Sequence, residues 1–303
     1  MTHGMLKGRV ALVTGAGRGI GRSVAMALAA EGAKVVVNDI GAALWGSESE
    51  DNPASEVVSA IEAAGGEAIA NGDSVANWES ASRIVAAAKD AFGKLDIVVN
   101  NAGIIRDAIV HKMLPEDFDA VIDVHLRGSF YVSRAAAPLF REQNSGCYIH
   151  MTSNAGLIGN VGQANYMAAK LGIAGLSRSL AMDLARYNVR SNCIAPFART
   201  RMTESVPASP DEAAARAAKI AGWKPESVGV LAATLAGDAC SGITGQIFGA
   251  RGNEVFVFSQ PRPVRSVHRD GGWTPEGLGK VLPKFQAAFS PITDATMTWD
   301  SVD

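Results

Sequence analysis

The sequence predicts an α/β protein built on a doubly wound, mostly parallel sheet. Short, weakly charged runs rich in valine and isoleucine alternate with alanine-rich amphipathic stretches. That alternation arises when helices cross over between strands that are buried on both faces. A glycine-rich turn joins the first apolar run to the first amphipathic stretch, as in sheets that bind a dinucleotide. We therefore predict a Rossmann-like single domain with a C-terminal extension.

The strands and helices follow from hydrophobic periodicity. Strands are predicted at 9–14, 33–39, 66–71, 95–101, 146–153, 189–196 and 245–250. Helices are predicted between them, at 20–32, 54–66, 77–93, 115–140, 165–187 and 226–237. The longest helix is expected to kink near Pro138, because proline removes a hydrogen bond from a helix interior.

A polar segment at 197–225 breaks the alternation. It contains three prolines, and we interpret it as a loop with a short helix that acts as a lid. The remainder of the chain is rich in proline and glycine and too short to bury a core of its own. We therefore predict a dinucleotide-binding and catalytic domain at 1–251 and an extension at 252–303. The extension is expected to pack on that domain or on a neighbouring subunit.

Composition excludes several classes of protein. Of the 303 residues, 48% are hydrophobic and 19% charged, which excludes global disorder. The net charge of −2 argues against a nucleic-acid partner. Three widely spaced cysteines, Cys147, Cys193 and Cys240, form neither a zinc motif nor a disulfide framework, so we expect no metal. No apolar run approaches the ~18 residues of a membrane span. We predict a soluble, cytoplasmic protein.

The first turn has the residues of a phosphate-binding loop. Gly15 permits a tight turn, Gly19 lets backbone N–H groups approach a pyrophosphate, and Gly21 allows close helix–strand packing. The N-terminus of the following helix adds a partial positive charge. We therefore expect a dinucleotide to contact Gly15, Arg18, Gly19, Ile20 and Gly21.

Asp39, at the end of the second strand, points to the type of cofactor. It follows Gly15 by 24 residues. A carboxylate at this place accepts hydrogen bonds from the adenosine ribose hydroxyls and repels a 2′-phosphate. The sequence therefore predicts NAD rather than NADP. Arg18 is the contrary signal, because its guanidinium could hold that phosphate.

A serine, a tyrosine and a lysine make up the candidate catalytic group. Of the four tyrosines, only Tyr166 has a lysine four residues later, Lys170, which places both side chains on one helix face. Ser153 ends the preceding strand, and the C-terminal ends of parallel strands border the ligand crevice. An ammonium beside the phenol should bring its pKa from near 10 towards ~7, so that it can act as a base. Ser153 would hydrogen-bond the reacting oxygen.

Together these residues resemble the short-chain dehydrogenase/reductase family over about residues 7–250. The matching motifs are the glycine loop, the Asn-Asn-Ala-Gly run at 100–103 and the Ser153, Tyr166 and Lys170 set. The resemblance implies an NAD-linked alcohol dehydrogenase or reductase. It also implies a homodimer or homotetramer that assembles through the long helices.

The resemblance implies further cofactor contacts. Asp73 and Val75 would border the adenine, and Pro196 with Ile194 would lie by the nicotinamide. Lys170 would also bind the nicotinamide ribose. The contacts implied in this way are Asp73, Val75, Asn101, Ala102, Gly103, Tyr166, Lys170 and Pro196.

Two residues depart from the family pattern. His125 stands where the family has an asparagine that helps to hold a water beside the lysine. Its carbonyl or its ring could keep that proton relay, so we include it among the catalytic candidates; the alternative is a helix histidine without a role. Phe197 follows Pro196 where many members have glycine, and it is expected to shape the substrate wall.

A narrower resemblance concerns the substrate. The stretches VVVNDIG, HLRGSF and IAPFARTRM are similar to the (3R)-hydroxyacyl-CoA dehydrogenase part of peroxisomal multifunctional enzyme type 2 and its bacterial relatives. This implies NAD and a 3-hydroxyacyl-CoA thioester with a fatty acyl or steroid side chain. The alternatives are a 17β-hydroxysteroid dehydrogenase, a 3-oxoacyl thioester reductase, or a cofactor-binding regulator without activity. The apolar stretch Leu157–Val161 suits an apolar substrate, and Arg106, Lys112 and Arg127 are scattered candidates for the CoA phosphates.

Overall fold

The computed structural model describes residues 4–41, 52–198, 222–290, 292 and 293. One eight-stranded sheet runs in the order β3-β2-β1-β4-β5-β6-β7-β8. The strands are β1 Val10–Thr14, β2 Lys34–Asn38, β3 Ala68–Asn71, β4 Ile97–Asn100, β5 Gly146–Met151, β6 Val189–Phe197, β7 Ile247–Arg251 and β8 Glu254–Val257. Neighbouring strands are parallel except for the antiparallel pair β7–β8. The order confirms the predicted doubly wound sheet.

Helices cover both faces of this sheet. They are α1 Gly19–Ala30, α2 Pro53–Ala63, α3 Trp78–Phe92, α4 Pro115–Ile122, α5 Gly128–Gln143, α6 Asn154–Leu157, α7 Ala164–Asp183, α8 Pro225–Ala236 and α9 Pro275–Gly279. Asn52 and Asn77 cap α2 and α3 by accepting hydrogen bonds from backbone N–H groups of the first turn. Within the described ranges, no helix is both long and apolar enough to span a bilayer.

The core has two layers, one on each side of the sheet. Alternate residues of β1 show the division: Ala11 and Val13 pack with α1, α2 and α8, whereas Val10 and Leu12 pack with α3 and α5. A strand buried on both faces has no solvent side. This is why the predicted strands are apolar almost throughout.

The predicted helix 115–140 is interrupted at a different place from the one expected. A single π-helical turn, Asp123–Arg127, separates α4 from α5, and α5 runs through Pro138 without a break. The turn places the ring of His125 inside the protein, 1% exposed. Single π turns often occur at functional sites, because the additional residue redirects a side chain. The interruption of the predicted helix thus lies at Asp123–Arg127, and Pro138 stands inside α5.

The start of the extension was also predicted incompletely. Residues 254–257 form β8, an edge strand absent from the prediction. Gln260 then connects the start of the extension to the rest of the protein. Its side-chain oxygen accepts from Arg178, and its amide donates to the Gly245 carbonyl at 2.5 Å. The side chains from 261 to 290 are mainly exposed. The expected lid, 197–225, lies mostly at 199–221, outside the described residues.

Candidate active site

A crevice of about 590 Å³ opens at the C-terminal ends of the central strands, where the chain order reverses between β1 and β4. Such a reversal is where open α/β sheets bind their ligands. Ile194, expected by the nicotinamide, is buried in β6 and does not line the crevice, but the other residues that the sequence assigned to the cofactor do line it. These are Gly15, Arg18, Gly19, Ile20, Gly21, Asp39, Asp73, Val75, Asn101, Ala102, Gly103, Tyr166, Lys170 and Pro196. His125 lines the same crevice.

The glycine loop is held in a shape that larger residues could not adopt. Gly15 and Gly19 have φ angles of +61° and +53°, in the left-handed region. A Cβ atom on Gly21 would lie 2.0 Å from the Gly15 carbonyl oxygen. Asn101 braces the loop, because its side-chain amide donates to the carbonyls of Thr14 and Gly15 at 3.0 and 2.9 Å. The loop is thus a rigid backbone cradle that opens onto the N-terminus of α1.

Two carboxylates also line the crevice, those of Asp39 and Asp73. Asp39 accepts from the backbone N–H groups of Gly17 and Gly41, each at 2.8 Å, which holds its carboxylate beside the glycine loop. Asp73 pairs with Arg83, which the sequence did not single out; Arg83 Nε donates to Asp73 Oδ1 at 2.9 Å. Hydrogen bonds and an ion pair within the protein therefore hold both carboxylates in place.

Ser153, Tyr166 and Lys170 come together at the C-terminal end of β5. Ser153 follows β5 and caps α6, where its Oγ accepts from the Ala155 N–H at 3.1 Å. Tyr166 and Lys170 lie one turn apart on α7. The Lys170 Nζ donates to the Met151 carbonyl at 2.7 Å and lies 5.5 Å from the centre of the Tyr166 ring. The Tyr166 phenol shares a hydrogen bond with Ser153.

The electrostatics differ from the expectation that Lys170 brings the Tyr166 pKa towards ~7. Burial raises the pKa of Tyr166 above its usual value, and the hydrogen bond to Ser153 only partly opposes the rise. Burial also lowers the pKa of Lys170 to about 7. Desolvation therefore determines the direction of both shifts, although the Lys170 Nζ lies over the Tyr166 ring.

His125 is buried between the crevice and the loop after β4. Its Nε2 lies 3.1 Å from the Ile104 nitrogen and 2.7 Å from the Ile104 oxygen, and its ring meets the Tyr166 ring edge-on at 5.3 Å. Among the described residues its Nδ1 has no hydrogen-bond partner. Burial and the nearby Lys170 charge lower the pKa of His125 to about 3, so the ring is neutral at physiological pH. A Cβ on Gly103 would lie 2.2 Å from this ring, which explains the glycine there.

Phe197 does not line this crevice. It is 6% exposed and packs edge-on against Trp223 and Phe256, with ring centres 5.5 and 5.9 Å apart. Trp223 and the strand β8 were not part of the prediction, so this aromatic cluster could not be foreseen. The expected substrate-wall role of Phe197 is not supported by this placement.

A second buried histidine was missed by the sequence analysis. His150 lies in β5, where its Nδ1 is 3.2 Å from the Asn100 amide nitrogen, and that amide also donates to Ser133 at 3.0 Å. Its Nε2 has no partner among the described residues. Burial, with a smaller contribution from the Lys170 charge, lowers the pKa of His150 to about 3. The available signal was a histidine inside an otherwise apolar strand.

We expect His150→Gln to make the protein less sensitive to acid. The folded pKa of about 3 lies below the usual 6.5, so the unfolded chain binds more protons in this range. The contribution to stability is complete above pH 6.5 and is lost as the pH falls towards 3. A buried histidine of this kind steepens the loss by about 1.4 kcal/mol for each pH unit. Urea unfolding between pH 7 and pH 5 should show a shallower decline in the variant. An unchanged slope would contradict the prediction, and the exposed His111→Gln provides the matched control.

Comparison with known proteins finds similar sequences over most of the chain. A family model described as short chain dehydrogenase matches residues 9–211. Hydroxyacyl-CoA dehydrogenase ChsB1 of Mycobacterium tuberculosis is 42% identical over 296 residues, which cover 94% of this chain and 91% of that protein. Peroxisomal multifunctional enzyme type 2 of Mus musculus is 46% identical over 233 residues, 77% of this chain but only 30% of that longer protein. A 3-oxoacyl-(acyl-carrier-protein) reductase of Synechocystis is 43% identical over 253 residues, 83% of this chain and 98% of that protein.

Solved structures show the same fold. The crystal structure of a short chain dehydrogenase from Mycobacterium avium matches with a TM-score of 0.83 and 40% identity, and covers 96% of this chain and 99% of that chain. A 7α-hydroxysteroid dehydrogenase complexed with NADH and 7-oxo glycochenodeoxycholic acid matches with a TM-score of 0.74 and 30% identity, over 84% of this chain and 97% of that chain.

Proposed function

The chain belongs to the short-chain dehydrogenase family, and we propose that it oxidises a 3-hydroxyacyl-CoA thioester with NAD as the hydride acceptor. Members of this family are oxidoreductases that bind NAD or NADP. The observation that carries the proposal is that Tyr166, hydrogen-bonded to Ser153, lines the same crevice as Lys170 and the glycine loop. A base and a nucleotide-binding loop on one crevice are what alcohol oxidation needs.

The residues present fit a dinucleotide. The glycine loop leaves no room for side chains, since a Cβ on Gly15 would lie 2.7 Å from the Ala102 backbone. That bare backbone and the N-terminus of α1 suit a pyrophosphate. Asp39 and Asp73 would hold the adenosine end, and Lys170 and Pro196 the nicotinamide end. When bound, NAD supplies the acceptor for the hydride that leaves the substrate carbon.

We propose NAD rather than NADP because of Asp39. Its carboxylate is fixed beside the glycine loop by the N–H groups of Gly17 and Gly41. In that place it can accept hydrogen bonds from ribose hydroxyls, and it would repel a 2′-phosphate. Arg18 lines the same crevice and is the residue that favours the phosphate. We therefore base the choice of NAD on the Asp39 carboxylate, which is held at the loop.

Residues of this chain would accept and pass on the proton of the substrate hydroxyl. Tyr166, as the phenolate, takes the proton from the substrate hydroxyl, while Ser153 hydrogen-bonds the same oxygen. Lys170 favours the phenolate by its charge, against the burial that raises the phenol pKa. We propose that His125 continues the proton path through its carbonyl or its ring. The carbonyl accepts from the Ser129 hydroxyl at 2.6 Å and from the Gly128 N–H, whereas the ring Nδ1 has no partner among the described residues.

The substrate assignment rests on the names of similar proteins and on the apolar stretch Leu157–Val161. We propose a fatty acyl or steroid side chain on the thioester. The reductase from Synechocystis supports a second candidate, reduction of 3-oxoacyl thioesters, which uses the same groups in reverse. We also propose a cytoplasmic homodimer or homotetramer, with the extension 252–303 packed on the domain or on a neighbouring subunit.

A substrate panel tests the proposed function. We expect NADH formation with 3-hydroxyacyl-CoA thioesters, and a kcat/KM at least about tenfold higher with NAD than with NADP. Hydroxysteroids and 3-oxoacyl thioesters, measured in the appropriate direction, form the comparison arms. A clear preference for NADP would refute the argument from Asp39. Binding of NAD without turnover on any substrate would instead support a cofactor-binding regulator.

A further inference from the structure

We propose that Asp107 is a positioning residue that holds a negative charge beside the base and sets the pH range in which Tyr166 works. It does so as part of a clasp, formed by Asp107, Asn160 and Gln163, that joins the loop after β4 to the segment leading into α7. The inference rests on the proposed function, because it concerns the same phenol.

The clasp is a chain of side-chain amide contacts. The Gln163 amide donates to Asp107 Oδ2 at 2.8 Å, and its oxygen accepts from the Asn160 amide at 2.7 Å. The backbones are joined as well: the Ala108 N–H donates to the Gly162 carbonyl at 2.9 Å, and Ala108 and Gln163 form an isolated parallel bridge. Side-chain and backbone contacts together fix where the Asp107 carboxylate lies.

A second contact connects this loop to Tyr166 itself. The Asn165 side chain is fully buried, and its amide donates to the Arg106 carbonyl at 2.8 Å and to the Asp117 carbonyl at 3.3 Å. Its oxygen accepts from the Tyr166 N–H at 2.7 Å. Asn165 thus joins the backbone at Arg106, next to Asp107, to the backbone at Tyr166.

The charges around the phenol make Asp107 distinctive. Lys170, whose pKa burial lowers to about 7, faces it from α7, and the Ser153 hydroxyl faces it from the end of β5. The ring of His125 faces it from the π turn as a neutral group. Asp107 supplies the negative charge that opposes ionisation of the phenol, although burial also raises the pKa of Asp107 itself.

The cation nearest in sequence does not cancel this charge. Arg106 pairs with Asp117, at 3.6 Å, although it directly precedes Asp107. The negative charge of Asp107 therefore opposes the effect of the Lys170 charge on the phenol. Because a weaker acid has a stronger conjugate base, the Asp107 charge lowers the fraction of phenolate but makes each phenolate a better proton acceptor. This adjusts the pH at which the base is half-ionised.

Two variants separate the charge from the contact. Asp107→Asn removes the charge but keeps an oxygen that can accept from Gln163. Gln163→Ala keeps the charge and removes the donor. For oxidation of a 3-hydroxyacyl-CoA by NAD, we expect Asp107→Asn to move the acid limb of the kcat/KM profile to lower pH by about half a unit to one unit. We expect a smaller acid shift in Gln163→Ala, because the carboxylate keeps its charge and the backbone contact between Ala108 and Gly162 still holds the loop. Equal acid shifts in both variants would overturn the proposal.

A measurement without substrate separates this inference from the proposed function. The ultraviolet absorbance of tyrosinate is titrated in the whole chain and in Tyr166→Phe, and the difference isolates Tyr166. We expect the midpoint of that difference to fall when Asp107→Asn is added to both proteins. An unchanged midpoint overturns the role of Asp107 even in an active enzyme. A shifted midpoint in a protein that oxidises no hydroxyacyl-CoA supports the role of Asp107 and refutes the substrate assignment.

Discussion

Tyr166→Phe is expected to lower kcat for alcohol oxidation by about 10²- to 10⁴-fold, the usual contribution of a positioned acid or base. The substitution removes one oxygen and leaves the ring that packs edge-on against His125. The fold and the glycine loop should therefore be unaffected. We expect the affinity for NAD, measured by calorimetry, to change by less than about threefold.

Tyr131→Phe is the matched control. Tyr131 packs against Trp78 on α3, with ring centres 6.0 Å apart, and does not line the crevice. It should keep the rate of the parent protein. If Tyr166→Phe also kept that rate, Tyr166 could not be the base, and the mechanism proposed above would fail. A loss of rate that came with a loss of NAD affinity would point to damage of the site rather than to chemistry.

The parts of the site that follow strands could be predicted from the sequence. Gly15 and Asp39 come directly after short apolar runs, and parallel strands deliver their C-terminal ends to one edge of the sheet. The one-turn spacing of Tyr166 and Lys170 placed both on a single helix face. Here a local pattern determines position, so no knowledge of tertiary contacts was needed.

Other features depend on contacts that no local pattern carries. The π turn at Asp123–Arg127 differs from an α-helix by a single residue of register. The clasp joins Asp107 to Gln163 across 56 residues. The direction of the Tyr166 pKa depends on burial, which the Tyr166–Lys170 spacing does not reveal. Strand β8 was missed because its residues alternate between partly buried and exposed, as expected at a sheet edge.

Gly21→Ala is expected to weaken NAD binding at least about tenfold and to lower the free energy of unfolding by about 1–3 kcal/mol, the usual cost of overpacking. The new Cβ would lie 2.0 Å from the Gly15 carbonyl oxygen and 2.5 Å from the Asn101 amide nitrogen. That amide already donates to the carbonyls of Thr14 and Gly15, so relief of the clash must break bonds that shape the loop. Stability and cofactor affinity should therefore fall together.

Urea unfolding with and without NAD measures both effects, because a ligand that binds only the folded state stabilises it by an amount that grows with the logarithm of its affinity. Gly72→Ala is the control: it lies next to Asp73 at the crevice rim, and a Cβ there would meet nothing within 4 Å. We expect Gly72→Ala to keep the full stabilisation by NAD and Gly21→Ala to lose most of it. Equal stabilisation in both variants would show that the nucleotide does not depend on the glycine loop. The proposed placement of the pyrophosphate at this loop would then be wrong.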